Sequence, residues 1–310
     1  MTKGFVTIAT GDIKYYKLAR TLLRSYRQTC SEQMKFAIMC DATNEYTKEF
    51  DDQVILQSPT RSWMDKMELL NCCPYDENIF IDADCIIYKD INYLWKLFEV
   101  ADDFSCFGRV LGFDESGGWF TKDIKQYYPI NFITHLHGII YFIRKGEVID
   151  EMKTLCKRIA ADYNLLNCNG FEGTIADEPI YAIAMAVLNL KPISRKPQYY
   201  CFVPFLTDLK TNYYTKEVSY MNPADGVVND CSIVHWGNKN TAKWQYRFDS
   251  EAINYLEYKY SNPLPKTVEL FLYKLKTLSL VYYCEDKQKE FSDYIKWGFS
   301  RVTAKISGKR

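Results

Sequence analysis

Short apolar runs alternate with stretches of helical periodicity through the first two-thirds of the sequence, and this alternation is the strongest constraint on the fold. Residues 5–9, 36–40 and 79–81 are brief, β-favouring and free of charge. Between the first two runs, apolar side chains recur every three or four positions from Tyr15 to Tyr26. Strands that are apolar on both faces and alternate with helices form parallel sheets covered by helices. We therefore predict an α/β fold with a mostly parallel sheet and helices on both faces.

The composition is that of a globular protein with a large core. Of the 310 residues, 47% are apolar and 25% are charged, and the formal net charge is zero. A neutral chain has no whole-molecule attraction to nucleic acid, which argues against a nucleic-acid partner. The eleven cysteines are scattered without any C-x-x-C spacing, and Cys40 and Cys85 lie in apolar runs as small core residues do. No sustained apolar stretch follows Met1, so we expect a cytoplasmic protein with reduced cysteines.

The patterning also predicts how the chain is divided. We expect residues 1–249 to form the α/β domain and residues 250–310 to form a helical C-terminal extension. Residues 191–229 are rich in Pro, Tyr and Asn, which predicts an irregular surface segment. Basic and aromatic residues are mixed through residues 294–310. Such a tail can lie on an anionic membrane surface, which would make the protein peripheral to the membrane, or it can dock against the main domain.

Asp82 and Asp84 follow the buried run at residues 79–81, where the chain leaves the sheet. In open α/β sheets, ligands collect at the carboxyl ends of the strands. Two neighbouring carboxylates are costly to bury unless a cation neutralises them, and Mg²⁺ and Mn²⁺ favour oxygen ligands while keeping positions open for phosphate. We predict that the two aspartates hold such a cation. The alternative is that they cap a turn in solvent.

His235 follows a short strand predicted at residues 231–234, and Gly237 and Lys239 come directly after it. An imidazole can complete a Mn²⁺ site, a glycine lets the backbone approach a ligand closely, and a lysine can contact a diphosphate as a point charge. This pattern predicts His235 as a third metal ligand, with Lys239 or Lys243 at the diphosphate. A histidine at a strand end is also a common structural residue held by hydrogen bonds, and this alternative stays open.

Four segments follow one another in a particular order along the chain. They are residues 8–16, residues 66–84, residues 138–142 and residues 235–239. In this order the sequence resembles bacterial GT-A glycosyltransferases, particularly those of glycosyltransferase family 8. The resemblance covers about residues 5–247 and implies a GT-A catalytic domain, which is Rossmann-like. It also implies transfer of a hexose from a nucleotide sugar, with UDP-sugars as the default donors, to a glycan, lipid-linked or other hydroxyl acceptor.

The resemblance implies roles for individual residues on the donor side. Ala9 and Thr10 would lie beside the nucleoside, Tyr15 would lie near the base, and Asp41 would be the acidic group near the nucleoside. Lys66 would face the donor sugar or phosphate. The donor-contacting set is completed by Ala83, Gly237 and Lys239, and the metal ligands implied are Asp82, Asp84 and His235. Helix packing for Tyr15 and a solvated helix face for Lys66 are the structural alternatives.

Asp177 and Glu178 match the region where the resembled family places acceptor-side or catalytic polar residues. An inverting enzyme needs a carboxylate base near the acceptor hydroxyl, for which these two are our candidates. The resemblance itself implies retention of configuration, and the residues leave the choice open. Both carboxylates also fit the start of a helix, where the macrodipole favours negative charge.

Two other classes of protein use the same elements. A nucleotidyltransferase also places paired aspartates and a metal on an α/β sheet, although it normally has a Gly-rich, basic segment after the first strand, and residues 10–12 are too sparse for that. A non-catalytic sugar-nucleotide-binding or interaction protein would keep the fold without turnover. Cleavage of a nucleotide sugar separates the three classes.

Overall fold

The structure, a computed structural model, describes residues 1–112, 122–165 and 175–261. The mixed basic and aromatic tail lies outside the described residues, as does most of the predicted extension at residues 250–310. Among the described residues, no helix has both the length and the apolar character needed to cross a bilayer.

The described strands follow one another through the whole of this part of the chain. They are β1 (Lys3–Ala9), β2 (Lys35–Cys40), β3 (Asp52–Ile55), β4 (Glu77–Ile81), β5 (Cys85–Ile87), β6 (Phe104–Leu111), β7 (Ile133–Arg144), β8 (Tyr200–Phe202), β9 (Thr207–Asn212), β10 (Glu217–Asn222), β11 (Gly226–Val228) and β12 (Ile233–His235). The described α-helices are α1 (Ile13–Thr29), α2 (Leu69–Cys72), α3 (Tyr93–Phe98), α4 (Glu147–Ala161), α5 (Asp177–Val187) and α6 (Trp244–Ser261). A 3₁₀ helix, Trp63–Glu68, leads directly into α2.

The main sheet has six strands in the order β3-β2-β1-β4-β7-β6. The pairs β1–β2, β1–β4 and β2–β3 are parallel, whereas β7 is antiparallel to both β4 and β6. Five of the six strands therefore run in one direction. The predicted α/β fold with a mostly parallel sheet is confirmed.

Helices cover the sheet on both faces, and alternate side chains of its central strands enter two different apolar clusters. In β4, Ile79 and Ile81 join the cluster that contains the buried sides of α1 and α3, whereas Phe80 joins the cluster that contains α4 and α5. All three side chains are almost completely buried. Burial of such a side chain contributes about 1.5–3 kcal/mol. The lack of polar alternation in the sequence therefore reflects a strand that is buried on both faces.

The residues at the start of two helices, α1 and α5, explain why each helix begins there. Asp12 caps α1, because its carboxylate accepts a hydrogen bond of 2.8 Å from the backbone of Lys14. Helix α5 begins at Asp177, so that Pro179 falls in the first turn, where a missing N–H group costs nothing. Asp177 and Glu178 therefore lie in the first turn of α5, as their fit to a helix start indicates.

A small three-stranded sheet has the order β5-β12-β8, and its strand β5 directly follows β4 in the chain. Strand β12 is antiparallel to β5 and parallel to β8, so that His235 lies opposite Cys85 on one side and Phe202 on the other. The strand predicted at residues 231–234 exists but is shifted by one to two residues toward His235. Strand β5 was not predicted from the sequence.

The chain divides into two compact units. The first comprises Met1–Phe202 and Cys231–His235 and includes the main sheet and the small sheet. The second contains β9, β10 and β11 as an antiparallel sheet together with α6, and in it the backbone N–H of Tyr213 donates a 2.7 Å hydrogen bond to Asp249.

The prediction of an irregular segment at residues 191–229 is wrong, since this segment holds four strands, β8 to β11. Strands β9 to β11 are too polar for a hydrophobic period to reveal them and form by pairing with one another, whereas β8 pairs with β12. The predicted boundary between residues 249 and 250 falls inside α6, and that division of the chain stays a prediction.

Candidate metal centre

Asp82 and Asp84 lie in the tight turn that joins β4 to β5. The backbone N–H of Asp82 still belongs to the main sheet, because it donates to the carbonyl of Ile139 at 3.0 Å. The backbone N–H of Cys85 then donates to the carbonyl of Asp82 at 3.1 Å, which closes the turn. Both carboxylates are only 15–16% exposed. The turn thus presents two largely buried carboxylates at the carboxyl end of a parallel strand.

His235 reaches the same turn from β12, although it is about 150 residues away in the chain. Its Nε2 lies 2.9 Å from Oδ1 of Asp84 and 3.6 Å from Oδ2 of Asp82. The ring stacks on Phe202 of the neighbouring strand, with 4.7 Å between ring centroids. The sheet and this stacking together hold the imidazole against both aspartates.

Lys66 enters from the 3₁₀ helix on the other side of the aspartates. Its Nζ lies 2.9 Å from Oδ1 and 3.0 Å from Oδ2 of Asp82, and it donates to the carbonyl of Gly138 at 3.0 Å. It also lies 3.6 Å from the carboxylate of Asp177. The hydroxyl of Tyr181 donates to the Lys66 carbonyl at 2.8 Å and so holds its backbone. The lysine therefore joins the β4 turn to the start of α5.

The first turn of α5 adds two more carboxyl groups to this cluster. Asp177 accepts a 2.9 Å hydrogen bond from the Tyr141 hydroxyl. Glu178 accepts a 3.0 Å hydrogen bond from the backbone N–H of Gly138. A Cβ atom at Gly138 would collide with the Glu178 side chain, so only glycine permits this approach.

Burial and the neighbouring charges shift the pKa values of the two aspartates in opposite directions. Burial raises the pKa of Asp82 to about 6, and the charges of Lys66 and His235 offset only part of this rise. Burial also acts on Asp84, but the charge of His235 and its hydrogen bond outweigh it and lower the pKa of Asp84. For His235 itself, burial acts against the charged form, yet the charge of Asp84 raises its pKa.

Burial and neighbouring charges also shift the pKa values of Glu178, Lys66 and Cys85. Burial raises the pKa of Glu178 to about 8, with the charge of Asp177 as the next cause. Burial acts against the charged form of Lys66, but the charges of Asp177 and Asp82 prevail and raise its pKa. Burial raises the pKa of the Cys85 thiol well above its ordinary value, and the charges of Asp84 and Asp82 act in the same direction.

The cluster has more acidic groups than basic ones, and this imbalance suits a divalent cation. Its carboxyl groups are Asp82, Asp84, Asp177 and Glu178, whereas its basic groups are Lys66 and His235. Buried carboxylates are costly unless paired. A carboxylate oxygen of Asp84, the sulfur of Cys85 and a ring nitrogen of His235 all lie within 4.8 Å of one another, which makes this a group able to hold a metal ion.

A second cluster of polar side chains lies at the ends of β1 and β2. Asp41 accepts hydrogen bonds of 3.2 Å from the backbone N–H of Gly11 and 3.1 Å from Nε of Arg61, and it also accepts one from the hydroxyl of Tyr16. Burial acts against ionisation of Asp41, but the hydrogen bond from Tyr16 leads the groups that lower its pKa. Gly11 has φ +77°, a conformation that favours glycine.

Asp65 anchors the loop that carries Arg61 to the end of β1. It is 3% exposed. Its carboxylate accepts a 2.6 Å hydrogen bond from the Thr10 hydroxyl, bonds of 2.6 and 2.7 Å from the backbone and hydroxyl of Thr60, and one of 3.1 Å from the Arg61 backbone. Arg61 is held with φ 56°. Sequence reasoning missed both Arg61 and Asp65, since neither stands in a recognisable pattern.

The residues predicted for the donor side are distributed over both units. Ala9 and Thr10 are buried at the end of β1, and Ala83 lies between the two aspartates of the turn. Tyr15 is half-buried against the core under α1, and it is the next residue, Tyr16, whose hydroxyl meets Asp41. Gly237 and Lys239 belong to the second unit, where Gly237 (φ 67°) precedes the 3₁₀ helix Asn238–Ala242. Their roles at the donor stay predictions.

Comparisons with known proteins add a fold likeness. No family model matches the sequence, and no curated protein matches it significantly. Among solved structures, the chain is similar to the galactosyltransferase LgtC in complex with donor and acceptor sugar analogues, with a TM-score of 0.49 and 9% identity over 85% of this chain and 98% of that one. An active-site mutant of LgtC gives a TM-score of 0.47 at the same identity and coverage. At these values the likeness carries no argument about activity.

Proposed function

We propose that the protein is a metal-dependent glycosyltransferase, which moves a hexose from a nucleoside-diphosphate sugar to a hydroxyl acceptor. The observation that carries the proposal is an excess of buried carboxylates over basic groups at the end of β4, since Asp82, Asp84 and Asp177 lie against Lys66 and His235. A hard divalent cation, Mn²⁺ or Mg²⁺, balances such an excess and bridges to a diphosphate. We take a UDP-sugar as the donor, on the resemblance of four segments in the sequence.

In this proposal the three residues Asp82, Asp84 and His235 hold the cation. When bound, it would stabilise the negative charge that grows on the departing diphosphate. Lys66 orients Asp82, because its ammonium group contacts both carboxylate oxygens. It also keeps Asp82 ionised in a buried site, since the positive charge of Lys66 opposes the effect of burial. Either Lys239 or Lys243 would meet the diphosphate.

The reaction breaks the bond between the anomeric carbon and the diphosphate oxygen and forms a bond from that carbon to the acceptor oxygen. The proton of the acceptor hydroxyl passes to a base, for which the carboxylate of Asp177 is a candidate. We propose that Asp177 and Glu178 act on the acceptor side. The 3.6 Å contact of Asp177 with Lys66 supports a place next to the donor phosphate or sugar. Glu178, with a pKa of about 8, carries its proton at neutral pH and can donate it in a hydrogen bond. Retention and inversion are both compatible with this arrangement.

The nucleoside would lie at the ends of β1 and β2. Asp41 and the end of β1 at Ala9 and Thr10 support this placement, because they meet at the carboxyl edge of the sheet, where α/β proteins bind nucleotides. Tyr15 would add a flat surface near the base. For the acceptor we propose a glycan or a lipid-linked sugar, and for the protein a cytoplasmic place with peripheral membrane contact through residues 294–310.

The proposal is tested by donor cleavage. The full chain is incubated with a panel of UDP-, GDP- and other nucleotide sugars, with Mn²⁺, with Mg²⁺ or with EDTA, and released nucleoside diphosphate is measured. We expect metal-dependent release from at least one donor. If no donor is bound or cleaved with either metal, the proposal fails. Release of pyrophosphate from a nucleoside triphosphate and a sugar phosphate would point to a nucleotidyltransferase instead.

A variant pair links the activity to the proposed ligands. Asp84→Asn keeps the shape of the side chain but removes a charge from the metal set, and we expect turnover to fall by about 10²-fold or more. Asp150→Asn, on the exposed start of α4, is the matched control and should keep full activity. Turnover by Asp84→Asn close to that of the control would exclude Asp84 as a ligand.

A further inference from the structure

We propose that Cys85 joins Asp84 and His235 as the third ligand of a thiophilic divalent cation of the class of Zn²⁺, Cd²⁺ or Co²⁺. The donor atoms of these three residues lie within 4.8 Å of one another. Around a four-coordinate zinc, with metal–ligand distances of about 2.0–2.3 Å, donor atoms are about 3.3–3.8 Å apart. The three donors are therefore near enough to close on one cation through small side-chain movements.

The backbone arrangement holds the donors in this position. His235 and Cys85 are direct neighbours across the antiparallel pair β12–β5, and Asp84 immediately precedes Cys85. Cys85 is fully buried, and the His235 ring is stacked on Phe202, so neither side chain has much freedom to turn away. In addition, Nδ1 of His235 is buried and finds no hydrogen-bond partner in the part of the chain that the structure describes. The donor group therefore contains a buried polar atom whose burial is costly without a ligand.

The chemistry of the donors separates this set from the one in the proposed function. Mg²⁺ and Mn²⁺ favour carboxylate oxygens and water, whereas a thiolate favours Zn²⁺ and softer ions, and imidazole suits zinc well. Asp82 is occupied on both oxygens by Lys66. A hard cation would draw on Asp82, and a thiophilic cation would draw on Cys85. Since both sets share Asp84 and His235, the two kinds of cation exclude each other.

Coordination by Cys85 is a simple substitution. The S–H bond breaks, the proton passes to solvent, and a bond forms between the sulfur and the metal, with no change in oxidation state and no oxidant required. The site uses two residues of the proposed function but does not depend on turnover. The proposal predicts that a thiophilic cation displaces Mn²⁺ and blocks any reaction that requires it.

The first experiment uses Co²⁺ as a spectroscopic probe on the full chain, after removal of metals with EDTA and in the presence of a phosphine reductant. We expect a thiolate-to-cobalt charge-transfer band in the near ultraviolet, and we expect Cys85→Ser and Cys85→Ala to abolish it. Cys72→Ser is the matched control, because Cys72 is a partly exposed cysteine outside this group, and it should keep the band. Circular dichroism of each variant checks the fold.

The proposal is overturned if the wild-type protein shows no charge-transfer band, a result that needs no variant and so holds even if the Cys85 variants fail to fold. It is also overturned if the band survives in folded Cys85→Ser and Cys85→Ala. A calorimetric titration provides the second measurement. Zn²⁺ affinity should fall at least about tenfold in Cys85→Ala while Mn²⁺ affinity changes less than about twofold, and equal losses for both ions would contradict the assignment.

The two proposals fail separately. Mn²⁺-dependent donor cleavage without a cobalt–thiolate band would leave the glycosyltransferase proposal intact and remove Cys85 from the metal site. A cobalt–thiolate band without cleavage of any donor would support the thiophilic site and remove the proposed function.

Discussion

The carboxylates after β2 and after β4 lie at the same edge of one sheet, but they differ in how their charge is balanced. Asp41, after β2, accepts hydrogen bonds from a backbone N–H group, a tyrosine hydroxyl and the guanidinium group of Arg61. The neighbouring Asp65 accepts four more from threonine and backbone donors. The protein itself therefore satisfies the carboxylates at the ends of β1 and β2.

The cluster after β4 lacks this balance. Asp82 shares Lys66 with Asp177 at the start of α5, and Asp84 lies against His235. Burial raises the pKa of Asp82 to about 6 in spite of the charge of Lys66. The difference indicates that the Asp41 cluster is a rigid part of the fold, whereas the cluster at the end of β4 keeps an excess of carboxylates that suits the cation we propose.

The largest expected effect comes from removing Lys66 from the cluster at the end of β4. Lys66→Met keeps the length of the side chain but leaves Asp82 and Asp177 without their ammonium partner. Breaking a buried ion pair in this way should lower the free energy of unfolding by about 3–5 kcal/mol in EDTA. Urea denaturation measures the loss. Lys145→Met, at an exposed lysine, is the control, and its free energy of unfolding should fall by less than about 0.5 kcal/mol. An equal loss in the two variants would contradict the difference drawn between the two carboxylate clusters.

The next prediction is that the free energy of unfolding depends on pH through the titration of Glu178. Its pKa in the folded protein is raised from an ordinary 4.5 to about 8, so the folded protein holds this proton more tightly than the unfolded chain. The contribution to stability is fully present below about pH 4.5 and is lost as the pH rises through 8. Between pH 5 and 8 the loss should be on the order of 2–4 kcal/mol.

Urea denaturation of the wild type and of Glu178→Gln at several pH values, in EDTA, measures this contribution. Glutamine keeps the acceptor for the backbone N–H of Gly138 but does not titrate. The variant should therefore lack this part of the decline. Parallel curves for the two proteins between pH 5 and 8 would show that Glu178 is not the buried acid.

A third prediction concerns metal binding itself. Mn²⁺ at about 100 times its dissociation constant should raise the free energy of unfolding by about 2.7 kcal/mol, because it binds the folded state alone. Thermal denaturation with and without Mn²⁺ measures this shift in the wild type and in Asp84→Asn. The variant should show little or no shift, and Asp150→Asn should behave as the wild type does. A full shift in Asp84→Asn would place the cation elsewhere.

The smallest effect is expected in the cluster that is already satisfied. Asp65→Asn replaces one acceptor oxygen by an amide group that faces buried donors, at a cost of about 1–3 kcal/mol. Asp65→Asn should bind Mn²⁺ as the wild type does, which we do not expect of Lys66→Met. Mn²⁺ should therefore raise the free energy of unfolding of Asp65→Asn and of the wild type by the same amount. If Asp65→Asn abolished the Mn²⁺ effect, the two clusters would have to be treated as one site.

Much of the main sheet could be predicted from apolar periodicity. The run at residues 79–81 lies in β4, and helix α1 begins after Asp12 as its pattern indicates. The three predicted metal ligands and Lys66 also come together in space, although their roles stay predictions. A run buried on both faces leaves a strong signal in sequence, because every position in it is apolar.

The missed features have the opposite character. Strands β9 to β11 are polar and form only by pairing, so no period in the sequence reveals them. Asp65 becomes a buried anchor through contacts with Thr10, which is 55 residues earlier in the chain.

The sequence by itself determined the α/β class and the presence of two aspartates at the end of a buried strand. Both follow from local chemistry, since apolar strands must be covered and strand ends must leave the sheet. Only the tertiary structure decided that Cys85 lies opposite His235 and that Lys66 contacts both oxygens of Asp82. Those contacts join residues that are far apart in the chain, and the pairing of strands and the packing of helices decide them.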